Sequence, residues 1–122
     1  MTRVEQIRQE AQQIQSYLEI TLSGGVDEML ERVETLGIYY ARSGQLHAEV
    51  VGMHDAAIAK VFRDEKDVIV GLPPTLANKL IKGATAELNS LENWLDRINA
   101  ACSKQADNLR TLISFEKQRM IL

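Results

Sequence analysis

The two histidines of the chain come closer than any other side chains to the pattern of a metal site. His47 and His54 are seven residues apart, which on a helix places them two turns, or about 10 Å, apart on one face. One metal ion cannot bridge that distance, and zinc-binding histidines on a helix are typically four residues apart. Di-iron bundles need a glutamate three residues before each histidine, but Gly44 and Val51 stand there. We interpret both as packing or interface histidines; a metal or pH-sensing role across an oligomer is the alternative.

The single cysteine and a nearby glutamine fall on one apolar heptad pattern. Cys102 is the only cysteine, so the chain has no intrachain disulfide, which fits a reducing compartment. At a heptad position it is expected to be a small buried hydrophobic residue. Gln105 lies on the same pattern and is interpreted as a polar residue that fixes the register of the helices.

Two acidic clusters could in principle bind a metal or act as paired carboxylates. The first cluster lies where a helix is expected to start, and the helix dipole favours negative charge there. The second cluster lies beside a loop. Solvent-exposed helix ends therefore explain both clusters. The Gly24-Gly25 pair lacks the rest of a phosphate-binding loop, and no Gly-x-Ser-x-Gly elbow occurs. We expect no catalytic residues, no cofactor, no metal and no enzyme activity. The clusters are Asp27, Glu28, Glu31 and Asp64, Glu65, Asp67.

Composition bounds the fold class. The chain has 122 residues, of which 45% are hydrophobic, 25% charged and 5% aromatic, as in one globular domain. The two prolines, Pro73 and Pro74, are adjacent, which argues against an all-β fold with frequent turns. Helices are therefore the expected elements, in a single domain over residues 1 to 122.

Charge and hydropathy limit the partners. The net charge is -3, whereas nucleic-acid binding needs a clustered basic surface. The alternative of a nucleic-acid-associated accessory protein would depend on Lys104, Arg110, Lys117 and Arg119, which do not share one helical face. The first residues lack the apolar core of a signal peptide, and no apolar run approaches the roughly 20 residues that span a membrane. We expect a cytoplasmic protein with no membrane contact.

The apolar spacing predicts three helices. The first begins at a Thr2–Glu5 capping box and covers about residues 2 to 22, ending at Ser23-Gly24-Gly25. The second covers about residues 27 to 66. The third covers about residues 75 to 119, where apolar residues recur every three or four positions. Short turns predict an up-down-up, coiled-coil-like bundle with a short first helix and two long antiparallel helices.

A stripe of small residues follows the second helix. Three- and four-residue spacing puts its members on one side of the helix, where another backbone can approach closely. Glycines inside a helix cost roughly 1 kcal/mol each, which tight packing against the third helix is expected to offset. The stripe consists of Gly37, Ala41, Gly44, Ala48, Gly52, Ala56 and Ala59.

Helix lengths predict self-association. The first helix has about half the length of the second and can cover only about residues 26 to 46 of it. The rest of the long hairpin would expose an apolar patch, and such patches usually mark interfaces. We expect a homodimer or higher oligomer, and contact with another protein is a further option. The predicted interface comprises Gly52, Met53, Ala56, Ala57, Ala59, Val61 and Phe62.

Three segments resemble small all-helical proteins encoded by bacteriophages and prophages: residues 39 to 46, residues 94 to 99 and residues 109 to 114. The resemblance spans roughly residues 36 to 119. That group has no established activity, so it implies no site residue; it implies a phage accessory or assembly role. The expected function is a non-enzymatic structural, adaptor or regulatory protein, ahead of a nucleic-acid-associated protein and of a metal-dependent enzyme with a site formed across an oligomer.

Overall fold

A computed structural model of the chain describes residues 1 to 121. Its elements are α1 (Arg3–Leu18), α2 (Val26–Asp64), α3 (Lys66–Val70), α4 (Pro74–Ala84) and α5 (Ala86–Ile121). No strand occurs among them. The described residues are therefore all-helical, with five helices of which α2 and α5 are long.

The short helix α1 begins where its capping box predicts but ends earlier than expected. The Glu5 amide donates to Thr2 Oγ1 at 3.1 Å, and the Thr2 amide donates to Glu5 Oε2 at 3.2 Å, so both halves of the capping box are present. The helix ends at Leu18, four residues before the expected end. Its last carbonyl, that of Leu18, accepts hydrogen bonds from Arg32 and Gln105. Side chains of α2 and α5 thus terminate α1, which local spacing could not reveal.

The long helices α2 and α5 form the core. Hydrogen bonds link Arg32 to Gln105, Tyr40 to Asn99, and His54 to Thr85. Residue numbers fall along α5 as they rise along α2, so the two helices are antiparallel. The fully or nearly fully buried side chains on α2 and α5 recur at heptad spacing, which places one continuous apolar surface between the helices. These residues include Leu36, Leu46 and Val50 on α2, and Leu91, Leu95, Ile98 and Cys102 on α5.

The third predicted helix is divided at Thr85. This residue has φ −113° and ψ 13° and separates α4 from α5. Its hydroxyl donates to the Ile81 carbonyl at 2.8 Å, and such a bond from a threonine often bends a helix. The apolar spacing continues through Thr85 without interruption, so the sequence pattern alone predicts one continuous helix.

Helix α1 packs on both long helices. Ile7, Ala11 and Ile14 are buried against them. Arg42 donates to both carboxylate oxygens of Glu10, each at 2.7 Å, and Arg3 donates to Glu49, with Nη2 2.8 Å from Oε1. These ion pairs join α1 to α2 at two positions, beside the buried contacts of Ile7, Ala11 and Ile14.

The ion pairs shift the acidities of their carboxylates. The hydrogen bond from Arg42 lowers the pKa of Glu10, and the hydrogen bond from Arg3 lowers the pKa of Glu49. A carboxylate whose pKa is lower in the folded chain stabilises the fold above its unfolded-state pKa. That stabilisation is lost as pH falls through the lower, folded value.

We expect Glu10→Gln to lower the free energy of unfolding by about 1 kcal/mol at pH 7. A partly exposed bidentate ion pair lies at the upper end of the free energies that surface ion pairs contribute. The difference in unfolding free energy from the wild type should vanish at a pH well below the ordinary glutamate pKa of 4.5. There the wild-type carboxyl is also neutral. Denaturant unfolding followed by circular dichroism at both pH values measures it.

Glu31→Gln is the control, since Glu31 is exposed and its side chain forms none of the ion pairs found within residues 1 to 121. A Glu10→Gln difference that stayed constant down to strongly acidic pH would contradict the assignment to the ion pair.

Candidate functional site

The side of α2 that points away from α1 and α5 exposes nine small and apolar residues, with the polar residues Glu34, Gln45 and Asp55 between them. These nine residues share one side of α2 at 100° per residue, and all are exposed. Ile38 is 67% exposed, Phe62 47% and Leu30 44%. We call this surface the outward face. It consists of Leu30, Gly37, Ile38, Ala41, Ala48, Gly52, Ala56, Ala59 and Phe62.

The small-residue stripe was expected to pack on the third helix, but most of it lies on the outward face. Six of the seven stripe residues are exposed, and Gly44 is half-buried. A Cβ added at Gly37 or Gly52 would meet nothing within 4 Å, whereas one at Gly44 would lie 3.4 Å from Asn99 Nδ2. The stripe and the leucine heptad lie on opposite sides of one helix. The leucines face α5 because burying their larger side chains removes more apolar surface from water.

The residues predicted as an interface lie on two different surfaces. Gly52, Ala56, Ala59 and Phe62 belong to the outward face. Met53 is half-buried and packs against the core. The remaining two, Ala57 and Val61, are half-buried and line a groove of about 440 Å³ together with Leu80 and Ala84 of α4. Helix α4 thus lies beside part of the surface that helix lengths alone predict to be open. A self-association interface over all seven residues stays a prediction.

His54 belongs to a polar cluster at the break between α4 and α5. Its Nδ1 lies 3.2 Å from Glu92 Oε2, and its Nε2 lies 3.3 Å from Thr85 Oγ1. A hydroxyl, an imidazole and a carboxylate in this order resemble a catalytic triad. However, Thr85 is only 4% exposed, and its hydroxyl already donates to the Ile81 carbonyl. The cluster therefore ties the helix break to α2 and presents no accessible nucleophile.

The other candidate residues have structural surroundings. Cys102 is fully buried, and burial raises the pKa of its thiol. Gln105 donates from Nε2 to the Leu18 carbonyl and accepts from Arg32, so it caps α1 in addition to joining two helices. Within residues 1 to 121, no three histidine, cysteine or acidic side chains are grouped so that they could hold a metal ion.

Arg32 is the residue that the sequence reading missed. It is 5% exposed and lies on the core side of α2, four residues before Leu36. A basic residue on the same heptad pattern as the leucines indicates a buried cation. This pattern is visible in the sequence only when the side of α2 that carries Leu36 and Leu46, rather than the side that carries the glycines, is taken to face the core.

No protein-family model, curated protein or solved structure matches this chain. Within residues 1 to 121, no helix combines the length and the apolar character that crossing a membrane requires.

We expect Gly37→Leu and Gly52→Leu each to raise the free energy of unfolding of the monomer by about 0.5 to 1 kcal/mol, since leucine has the better helix propensity and open space surrounds both sites. Gly44→Leu is the matched control. It must displace Asn99 and should lower the free energy by about 1 to 3 kcal/mol, as overpacking does.

Denaturant unfolding of dilute protein, followed by circular dichroism, measures the three variants. A loss of stability in Gly37→Leu as large as that in Gly44→Leu would contradict the outward placement of the stripe.

Proposed function

We propose that this chain is a non-enzymatic helical protein that acts through protein–protein contacts, in a structural, adaptor or regulatory role. Its partner at the outward face is a second copy of itself. The observation that supports the proposal is the exposure of nine small and apolar residues from Leu30 to Phe62, a length of about 48 Å at 1.5 Å per residue. A role in phage assembly is part of the proposal and derives from the sequence resemblance alone.

The size of the outward face suits a dimer. A helix surface about 48 Å long and about 10 Å wide offers roughly 500 Å² per protomer. Two copies would bury roughly 1,000 Å² in total, the lower limit for a specific interface. The small residues would let two α2 backbones approach closely, which increases the number of van der Waals contacts per unit length.

Charge favours an antiparallel, two-fold arrangement. Asp27 lies in the first turn of α2 and Arg63 lies in its last turn, both on the side of the outward face at 100° per residue. A two-fold axis across the middle of α2 places each acidic end beside the basic end of the other copy. The same operation pairs the opposite ends of the two helix dipoles. A closed two-fold dimer follows from one self-complementary surface.

Self-association would also complete the bundle. In this proposal α1, α2 and the α4–α5 pair form an up-down-up unit, and α2 gains its fourth neighbour from the second copy. A helix that is apolar on several sides is expected to be covered by more than one neighbour.

We expect the wild type to sediment as a dimer at micromolar concentration and Ala48→Glu to sediment as a monomer, because the substitution places two carboxylates at the centre of the dimer contact. Sedimentation velocity over a concentration series, with circular dichroism to check folding, is the measurement. Asn93→Glu is the control, since it adds the same charge at an exposed position of α5.

The charge pattern has its own test. Arg63→Glu should weaken the dimer about tenfold, or about 1.4 kcal/mol, and adding Asp27→Arg should restore it, because Asp27 lies opposite Arg63 of the other copy and the two substitutions exchange these charges across the two-fold axis. A wild type that stays monomeric throughout the series would overturn self-association. Dimers unaffected by Ala48→Glu would overturn the assignment of the surface.

A further inference from the structure

Arg32 is buried beside the C-terminus of α1 without a carboxylate partner. Its Nη2 donates to Gln105 Oε1 at 3.1 Å and to the Leu18 carbonyl at 3.4 Å. Its guanidinium carbon lies 4.4 Å from the centroid of the Tyr17 ring. None of the ion pairs formed within residues 1 to 121 includes Arg32. A residue that is always protonated is thus neutralised by no charge of this part of the chain.

The hydrogen bonds of Arg32 are also incomplete. Its Nε is the one buried side-chain nitrogen or oxygen in residues 1 to 121 that lacks a hydrogen-bond partner. Neutral acceptors, the negative end of the α1 dipole and the tyrosine ring stabilise the cation in part. Burying a charge nevertheless remains costly until an opposite charge accompanies it.

A cavity of about 260 Å³ opens beside this side chain. Its polar wall includes Arg32, Gln105 and Asn108, and its apolar wall includes Leu18, Leu22 and Leu109. Since a water molecule occupies about 30 Å³ in the liquid, the cavity has room for roughly nine non-hydrogen atoms. The cavity is open to solvent and combines one cation with an apolar wall of small size.

We propose that this cavity binds a small monocarboxylate with a short apolar tail. The carboxylate supplies the counter-charge that Arg32 lacks, since guanidinium and carboxylate groups form strong charge-assisted hydrogen bonds. The tail lies against the leucines. Because Arg32 is the only basic residue that lines the cavity, dianions such as phosphate or dicarboxylates are expected to bind more weakly. The cavity lies on the core side of α2, away from the outward face, so ligand binding and self-association can be measured separately.

Hexanoate is a suitable probe, because its eight non-hydrogen atoms match the roughly nine that the cavity can hold. Arginine Nε–H groups give their own signals in proton–nitrogen correlation spectra, and the signal of Arg32 is the one lost in Arg32→Lys. We expect sodium hexanoate to shift that signal saturably and to raise the melting temperature. Hexanamide, of the same shape without the charge, and sodium chloride at equal concentration should do neither.

Variants of the cavity test the proposal, and one of them keeps Arg32 in case its replacement prevents folding. Arg32→Met should lose hexanoate binding at least about tenfold, whereas Arg97→Met, at an exposed position of α5 outside the cavity, should keep it. Arg32→Met also removes a cap from α1, so Leu22→Trp provides a second test: it fills the cavity from the loop, keeps Arg32 and should weaken binding to a similar extent.

The proposal is overturned if hexanoate leaves the Arg32 signal unmoved, or if hexanamide or chloride moves it equally. It is also overturned if folded Arg32→Met binds hexanoate as the wild type does. Should Arg32→Met not fold, unchanged binding by Leu22→Trp overturns it.

Discussion

The packing of α2 against α5 is the constraint on which the rest of the structure depends. The side chains at the contact, Leu36, Leu46 and Val50 of α2 with Leu91, Leu95 and Ile98 of α5, are almost completely buried, and removing such side chains from water supplies most of the favourable free energy of folding. Once Leu36, Leu46 and Val50 face α5, the rotation of α2 about its axis is fixed. The same rotation sends the small residues outward and brings Arg32 inward, so the outward face and the buried cation have one cause.

Much of the helical architecture is predictable from spacing, whereas the side of α2 that faces the core is not. The capping box marks the start of α1, and the three- and four-residue apolar periodicity identifies the long helices. On α2, however, the small residues and the large apolar residues both recur with helical period, on opposite sides. Periodicity alone cannot rank the two sides; the area that each buries can, and it favours Leu36 over Gly37. The interface prediction came from helix lengths, which do not distinguish the sides of α2, so it includes Met53, Ala57 and Val61 as well as residues of the outward face.

Neighbouring residues do not predict where α1 ends or where α4 and α5 divide, because residues distant in the sequence determine both positions. Helix α1 ends where Arg32 and Gln105, 14 and 87 residues beyond Leu18, bond to its carbonyl. The division between α4 and α5 occurs at Thr85, whose hydroxyl also meets His54 of α2. At both places a polar cluster joins a helix end to another helix. Buried polar groups must find partners, so such clusters constrain where the chain can turn.

Stability of the isolated chain does not account for the two features proposed to bind partners. An apolar side chain at position 32 would fill the core side of α2, and replacing a buried charge with a hydrophobic residue is often neutral or stabilising. Alanine at Gly37 and Gly52 would favour the helix, because nothing occupies the space beside them. Proteins depart from locally optimal sequence mainly at functional sites. The glycines lie on the outward face and the arginine lines the cavity, so each departure coincides with a surface where a second molecule would offset its cost.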